Sequence, residues 1–334
     1  MRFFKKIQNA YGKLNIQKKL SIIVVTAVTI PMLLIIIIFS GRLFNMITSD
    51  TIRQEQNSAS QTAPLVEDMV QDILDTCTSI RSSDTYRYIF DDEIHDSVND
   101  ALLSPQGTGL ASLLENAGKN NVISAARVYI DVPATEPCFS DETEYFSPLS
   151  QVRRTYWYGI FQGSHPATLF CPPLYLSQWE ADSFGDCAYI VPMRMLTVEE
   201  GTVTCYLALY FQSSVLQQIL TDNLVNDGSL SYITNERDAV ITTSDSNLIG
   251  LYYVDYESIR DNLMSSNSFI EKRITGNRVF VGFYYIESAD WFMVTVLPIG
   301  PIMTKTVQML GLFFAVCLIS IIAGLLVSLS LSRS

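Results

Sequence analysis

Two long stretches without a charged side chain bound what this chain can fold into. The first lies between Lys19 and Arg42 and contains "SIIVVTAVTIPMLLIIIIFS", Ser21 to Ser40. As a helix it spans roughly 30 Å, the thickness of a bilayer core. The second lies between Lys305 and Arg333 and reads "TVQMLGLFFAVCLISIIAGLLVSLSLS". It too is long enough to cross a membrane with some tilt. A cleavable signal peptide, the rival for the first run, has a shorter apolar core and a small-residue cleavage site, whereas "SGRLFNM" follows here. Six basic residues, Arg2, Lys5, Lys6, Lys13, Lys18 and Lys19, and no acidic ones precede the first run, which predicts a cytoplasmic N-terminus. The second span then returns the chain to the cytoplasm.

The stretch between the spans is strongly acidic. Arg42 to Thr304 holds all 34 Asp and Glu against 14 Lys and Arg, a net of −20. Such a surface argues against nucleic acid or anionic lipid as partners and predicts a water-facing, extracytoplasmic domain. Five of the six cysteines (Cys77, Cys138, Cys171, Cys187 and Cys205) fall in this domain, with Cys317 in the second run. The odd number leaves at least one thiol unpaired within one chain. A Cys171–Cys187 bridge and free buried thiols are both compatible with the spacing.

Beyond the first span, Ile52, Ala59, Ala63, Val66, Val70, Ile73, Cys77 and Ile80 recur at helical spacing, with Pro64 placed to kink or restart the helix. Its apolar face serves either a dimer seam or packing on its own domain, and Gln56 within a short seam favours the latter. Strand patterns follow at Asn121 to Val132, then in "DCAYIVPMRML" and "GTVTCYLALYF", which "TVEEG" joins as a hairpin. "SSVLQQILTDNLV" reads as a connecting helix capped by Ser213 or Ser214. The scheme then repeats: "SLSYITNERDAVITTS" and "RVFVGFYYIESADWFMVTVL" each read as strand, turn, strand, with Pro298 and Pro301 ending the last. "QGTG" after Pro105 reads as a turn. The predicted fold class is α+β, with two tandem antiparallel-sheet modules on a long N-terminal helix between two transmembrane helices.

"YITNERDAVITTSDSNLIG" and "GFYYIESADWFMVTVLPIGPI", with Tyr284, Trp291 and Pro298, resemble the opening and close of the membrane-proximal module of double-Cache sensor domains, whose modules are PAS-like. A lysine pair, an apolar span with Ile30-Pro31 and a terminal "LSLSRS" look like the ends of the input half of YesM-type sensor histidine kinases, just before the HAMP linker. The resemblance divides the chain into a basic cytoplasmic N-terminus (1–19), a first span (20–41), a stalk helix (42–83), a distal Cache module (84–213), a connecting helix (214–229), a proximal module (230–301), a second span (306–332) and the start of a linker (333–334). It also implies a small ligand in the distal module. "RRTYWYGIF" and "CPPLY" are similar to the family's ligand motif, giving Arg154, Trp157, Tyr158 and Tyr175 as candidate ligand-binding residues. Thr155 stands where amino-acid-binding members have arginine, and Tyr210 or Phe211 where they have aspartate, so an amino-acid ligand is not expected. From the residues themselves, Tyr and Trp suit either a pocket for a small polar solute such as a sugar or a packed core. Tyr129 and two strand arginines, Arg127 and Arg194, join the candidate set, because a charge on a half-buried strand needs a partner, carboxylate or ligand.

Enzyme chemistry finds little support. His95 and His165 stand apart with no H-E-x-x-H, no C-x-x-C is present, and neither a P-loop nor G-x-S-x-G occurs. The acids Asp91-Asp92-Glu93 and Glu199-Glu200 sit in polar, loop-like surroundings, as solvated faces do. No catalytic residue, metal or cofactor is expected. The sequence therefore predicts an extracytoplasmic sensing module that binds a small solute or a solute-loaded binding protein, works as a homodimer and shifts its membrane helices. The resemblance implies a histidine-kinase output acting on a cytoplasmic response regulator. Inputs of diguanylate cyclases or chemotaxis receptors, and a membrane-anchored ectoenzyme, are the alternatives.

Overall fold

In the computed structural model, which describes residues 16–139, 145–226, 228–263 and 269–333, the chain forms two compact units. One comprises the chain up to Gln54 together with the stretch from Pro298 onward; the other is Glu55–Leu297.

The described residues of the first unit are almost all helical. Helix α1, Ile16–Ser82, begins in it, and the C-terminal helix, Ile299–Arg333, completes it. Both are long and apolar enough to cross a membrane. Ile37, Ile38, Leu318 and Ile319 are exposed on them, as lipid-facing side chains are, while the rings of Phe39 and Phe313 stack with centroids 5.2 Å apart. Helix α1 passes through Pro31 and Pro64 without a break, so Pro64 does not restart it. Pro301 falls in the first turn of the C-terminal helix rather than ending a strand; its missing N–H is one of the four that a helix start leaves unbonded anyway.

The second unit carries two five-stranded sheets. Between α1 and the first sheet lie α2 (Asp84–Arg87), a π-helical turn (Tyr88–Asp92), α3 (Val98–Leu103) and α4 (Pro105–Ala117). The expected turn at Gln106 to Gly109 lies inside α4, because Ser104 caps it through the Gly107 N–H at 3.0 Å and Pro105 takes the first helical position. Gly107 is required there: a Cβ would stand 2.0 Å from the Leu102 carbonyl oxygen.

The distal sheet comprises β1 (Ile123–Ile130), β2 (Phe146–Pro148), β3 (Leu169–Cys171), β4 (Cys187–Leu196) and β5 (Thr202–Phe211), in the order β2-β1-β5-β4-β3. Strands β4 and β5 form the expected hairpin, closed by Gly201 at φ 76°. Helix α5 (Tyr156–Ser164) precedes β3 and α6 (Gln178–Ser183) follows it. The connector α7, Ser213–Asp222, is not capped by Ser213. Asp186 binds the Ser213 N–H at 2.6 Å and its hydroxyl at 2.5 Å.

The proximal sheet has β6 (Leu230–Asn235), β7 (Val240–Thr243), β8 (Ile270–Ile274), β9 (Asn277–Ile286) and β10 (Trp291–Pro298), in the order β7-β6-β10-β9-β8. Helices α8 (Ile249–Tyr252) and α9 (Tyr256–Leu263) link β7 to β8, and the C-terminal helix is α10. The architecture is thus α+β, two antiparallel-sheet modules on a long N-terminal helix.

One core serves both sheets. The α1 residues Ala59, Val66, Val70, Ile73, Cys77 and Ile80 are buried in a single cluster with Val128, Leu207 and Leu209 of the distal sheet and Ile233, Trp291 and Met293 of the proximal one. The apolar face of the stalk thus packs on its own domain. Polar contacts fix its register: Glu67 accepts from the N–H and hydroxyl of Ser288, Asn226 donates to Glu55 at 2.6 Å, and Tyr284 donates to the Gln56 carbonyl at 3.2 Å.

Candidate functional site

Alternation along a strand sends successive side chains to opposite faces, and it divides the distal sheet cleanly. Val128, Ile130, Leu207, Leu209 and Val191 face α1. Arg127 and Tyr129 of β1, Tyr206, Ala208 and Tyr210 of β5, and Ala188, Ile190 and Arg194 of β4 point the other way, beneath α5 and α6. Register places Arg127 opposite Ala208, Tyr129 opposite Tyr206, and Arg194 opposite Thr204.

Six of the seven candidate ligand residues meet on or over this outer face. Trp157, Tyr129 and Tyr175 are buried there in one cluster, and Tyr158 is half-buried against it. Trp157 is wholly enclosed, its ring edge-on to Tyr206 at 5.4 Å and tilted against Tyr129 at 6.1 Å. The Arg127 guanidinium lies 4.3 Å over the Phe184 ring and 5.6 Å from that of Tyr145. Arg194 is exposed at the far end of β4. Arg154 is exposed in the loop before α5, apart from the others.

A residue absent from the candidate set sits at the centre. Glu180 is fully buried, and its carboxylate accepts from Trp157 Nε1 at 3.1 Å, Tyr210 Oη at 2.7 Å, and the N–H and hydroxyl of Ser177, both at 2.8 Å. The Tyr210 hydroxyl is also 2.7 Å from that of Tyr129. Burial and the neighbouring Tyr129 and Glu180 oxygens push the Tyr210 phenol well above its ordinary range, and burial likewise raises Tyr129. Both remain neutral donors, as the network requires. The sequence did hold a signal: Ser177-Gln178-Trp179-Glu180 spells a capping box, and Ser177 with Glu180 forms one at the start of α6.

The cysteines are all free thiols. Cys171 pairs with Ala188, so Cys187 lies one residue along on the opposite face of the sheet and cannot bridge to it. Burial pushes Cys77 up to about 11 and Cys138 to about 12, which makes both poor nucleophiles.

Open space lies at the sheet edge. Strand β3 pairs with β4 only as far as Ile190, and among the described residues the next main-chain hydrogen bond at this edge is that of the His95 N–H to the Leu196 carbonyl at 3.0 Å. Main-chain groups alternate sides along a strand. The Pro192 carbonyl and both main-chain groups of Arg194 therefore point the same way as the Leu196 carbonyl, past the end of β3. A cleft of about 690 Å³ opens there, between Arg81 at the end of α1, Asp91, His165 and Arg194, with Phe161 and Tyr206 in its wall. A smaller one of about 220 Å³ lies between the two modules, bounded by Tyr175, Asn235 and Trp291. Across this boundary Phe170 meets Trp291 with centroids 5.1 Å apart. No group of metal-binding side chains occurs among the described residues.

No protein-family model and no curated protein matches the chain. Solved structures do. The periplasmic sensory domain of the Campylobacter jejuni chemoreceptor Tlp1 is similar with a TM-score of 0.52 at 11% identity, covering 77% of this chain and 98% of that one. The ligand-binding domain of Mlp24 with asparagine gives 0.47 at 14% identity, covering 80% and 99%. The sensory domain of the C. jejuni chemoreceptor Tlp3 with isoleucine bound gives 0.42 at 9% identity, covering 78% and 97%. By the first of these likenesses, the acidic domain between the two apolar helices has the fold of a chemoreceptor periplasmic sensory domain.

Proposed function

We propose that this chain is the extracytoplasmic sensing part of a bacterial receptor together with its two membrane spans, and that the distal module binds a small solute. The observation that carries this reading is the two-module fold held in common with the Tlp1 sensory domain, set between two apolar helices. The shared core supports a route for the signal. Both sheets pack on one face of α1, so a change of shape in the distal module alters the surface that α1 rests on. Both termini lie in the cytoplasm, two protomers act together, and the chain itself has no catalytic role. The resemblance of the chain ends to YesM-type kinases supports histidine autophosphorylation as the output.

The test is a solute screen on the full chain in nanodiscs. A binding solute raises the melting temperature, is recovered unchanged, and alters the distance between spin labels placed at Phe44 of two protomers. Turnover of a substrate with no saturable binding of an unchanged compound rejects the sensing reading in favour of an ectoenzyme.

A further inference from the structure

We propose that the cleft at the open edge of β4 is a binding site for small organic carboxylates, held between Arg81 and Arg194. This deepens the sensing reading and rests on it.

In a domain with 14 basic and 34 acidic residues, a small anion is repelled from most of the surface. Here two guanidiniums line one cleft against a single carboxylate, that of Asp91. Elsewhere in the domain Arg87 pairs with Asp92, Arg153 with Asp131, and Arg278 with Glu271, while Arg81 itself hydrogen-bonds the Tyr86 hydroxyl. Arg194 makes no ion pair with any described residue. A charge so placed keeps its full capacity to take a carboxylate through two parallel N–H donors.

The main chain adds a donor. The Arg194 N–H points out from the β4 edge beyond the end of β3, so it stands ready to donate beside the guanidinium of the same residue. The wall is aromatic. Tyr86 and Phe90 on one side and Tyr206 on the other are buried aromatics, offering apolar faces to the body of the ligand. A neutral sugar makes poor use of paired guanidiniums; a ring or short chain bearing a carboxylate uses both halves of the cleft.

Arg81 gives the site a consequence. It belongs to the last turn of α1, and Arg194 to the distal sheet. An anion bridging them ties the end of the stalk helix to the sheet it packs on.

The test uses the full chain in nanodiscs and isothermal titration with benzoate and succinate, against benzamide and succinamide as uncharged counterparts. At least one carboxylate binds saturably and its amide does not. Arg194→Gln weakens that binding by about tenfold or more, the loss of a charge-assisted pair, with the melting temperature of the free protein unchanged because the side chain is exposed and makes no ion pair with any described residue. Arg81→Gln weakens it similarly. Arg278→Gln removes the same charge on the proximal sheet, outside the cleft, and leaves binding as it was. Amides that bind as well as the acids, binding unaffected by Arg194→Gln, binding lost equally in Arg278→Gln, or no binding of either acid overturns the proposal. The sensing reading is judged separately, by the wider solute screen.

Discussion

Replacing Glu180 by alanine tests whether the buried network holds the outer face of the distal sheet together. The carboxylate accepts four hydrogen bonds, two of them from the enclosed Trp157 N–H and Tyr210 hydroxyl. Without it the Trp157 donor has no acceptor. Tyr210 can turn its hydrogen toward Tyr129, but one hydroxyl hydrogen of that pair is then left over whichever way they point. Two stranded donors at about 1–3 kcal/mol each, plus about 1 kcal/mol for the carboxylate's bonds to Ser177 in the α6 capping box, total about 3–7 kcal/mol. A domain of this size shifts by about 2–4 °C per kcal/mol, so Glu180→Ala lowers the melting temperature by at least about 6 °C. Glu180→Gln keeps an acceptor toward Trp157 and Tyr210 but sets an amide against the Ser177 N–H, and it falls between alanine and wild type. Calorimetry of the single variants and of Glu180→Ala combined with Trp157→Phe gives the coupling energy. An alanine variant that melts within 2 °C of wild type, or additive effects in the double variant, refutes the argument.

Three further outcomes follow from the packing. Native protein at neutral pH resists maleimide at its five outer cysteines, and reductant leaves its melting temperature unchanged, since all are buried free thiols; full labelling appears only in denaturant, as mass spectrometry would read. Burial raises the Glu55 pKa in the folded state, so its contribution to stability is fully present below its unfolded pKa and is lost as pH rises through the folded value. Melting temperature against pH should therefore flatten over that window in Glu55→Gln. Gly107→Ala forces a Cβ into the Leu102 carbonyl and costs more than about 1–3 kcal/mol, the range for ordinary overpacking, in a denaturant titration.

How far the sequence could be read depended on how local the cause was. Strands β4, β5, β9 and β10 announced themselves because an alternating pattern and a short polar turn, with Gly201 in the first hairpin and Glu287 to Asp290 in the second, are properties of neighbouring residues. The stalk face was legible for the same reason, at period 3.6. Gly107 and Gly109 misled because the Ser104-Pro105 pair before them starts a helix more strongly than glycine opposes one. The spacing of Cys171 and Cys187 carried no information about faces, which only the β3–β4 register supplies. Six of the seven candidate residues do share one face, yet Trp157, Tyr129 and Tyr175 face one another as packed side chains. Glu180 was hidden because its partners Trp157 and Tyr210 lie on separate elements, α5 and β5, that only the folded sheet brings to α6.

The stretch of β4 beyond Ile190, with which no described strand pairs on that side, carries a hazard as well as an opening. A strand with one flank unpaired is a template on which another molecule's strand can grow, the first step toward a fibril. Pro192 has no N–H to offer such a newcomer, and Arg194 sets a fixed charge beside the vacant flank. The flank is thus guarded against a second polypeptide strand, and exchanging Pro192 for valine should show up as clumping on storage before it shows up as any loss of fold.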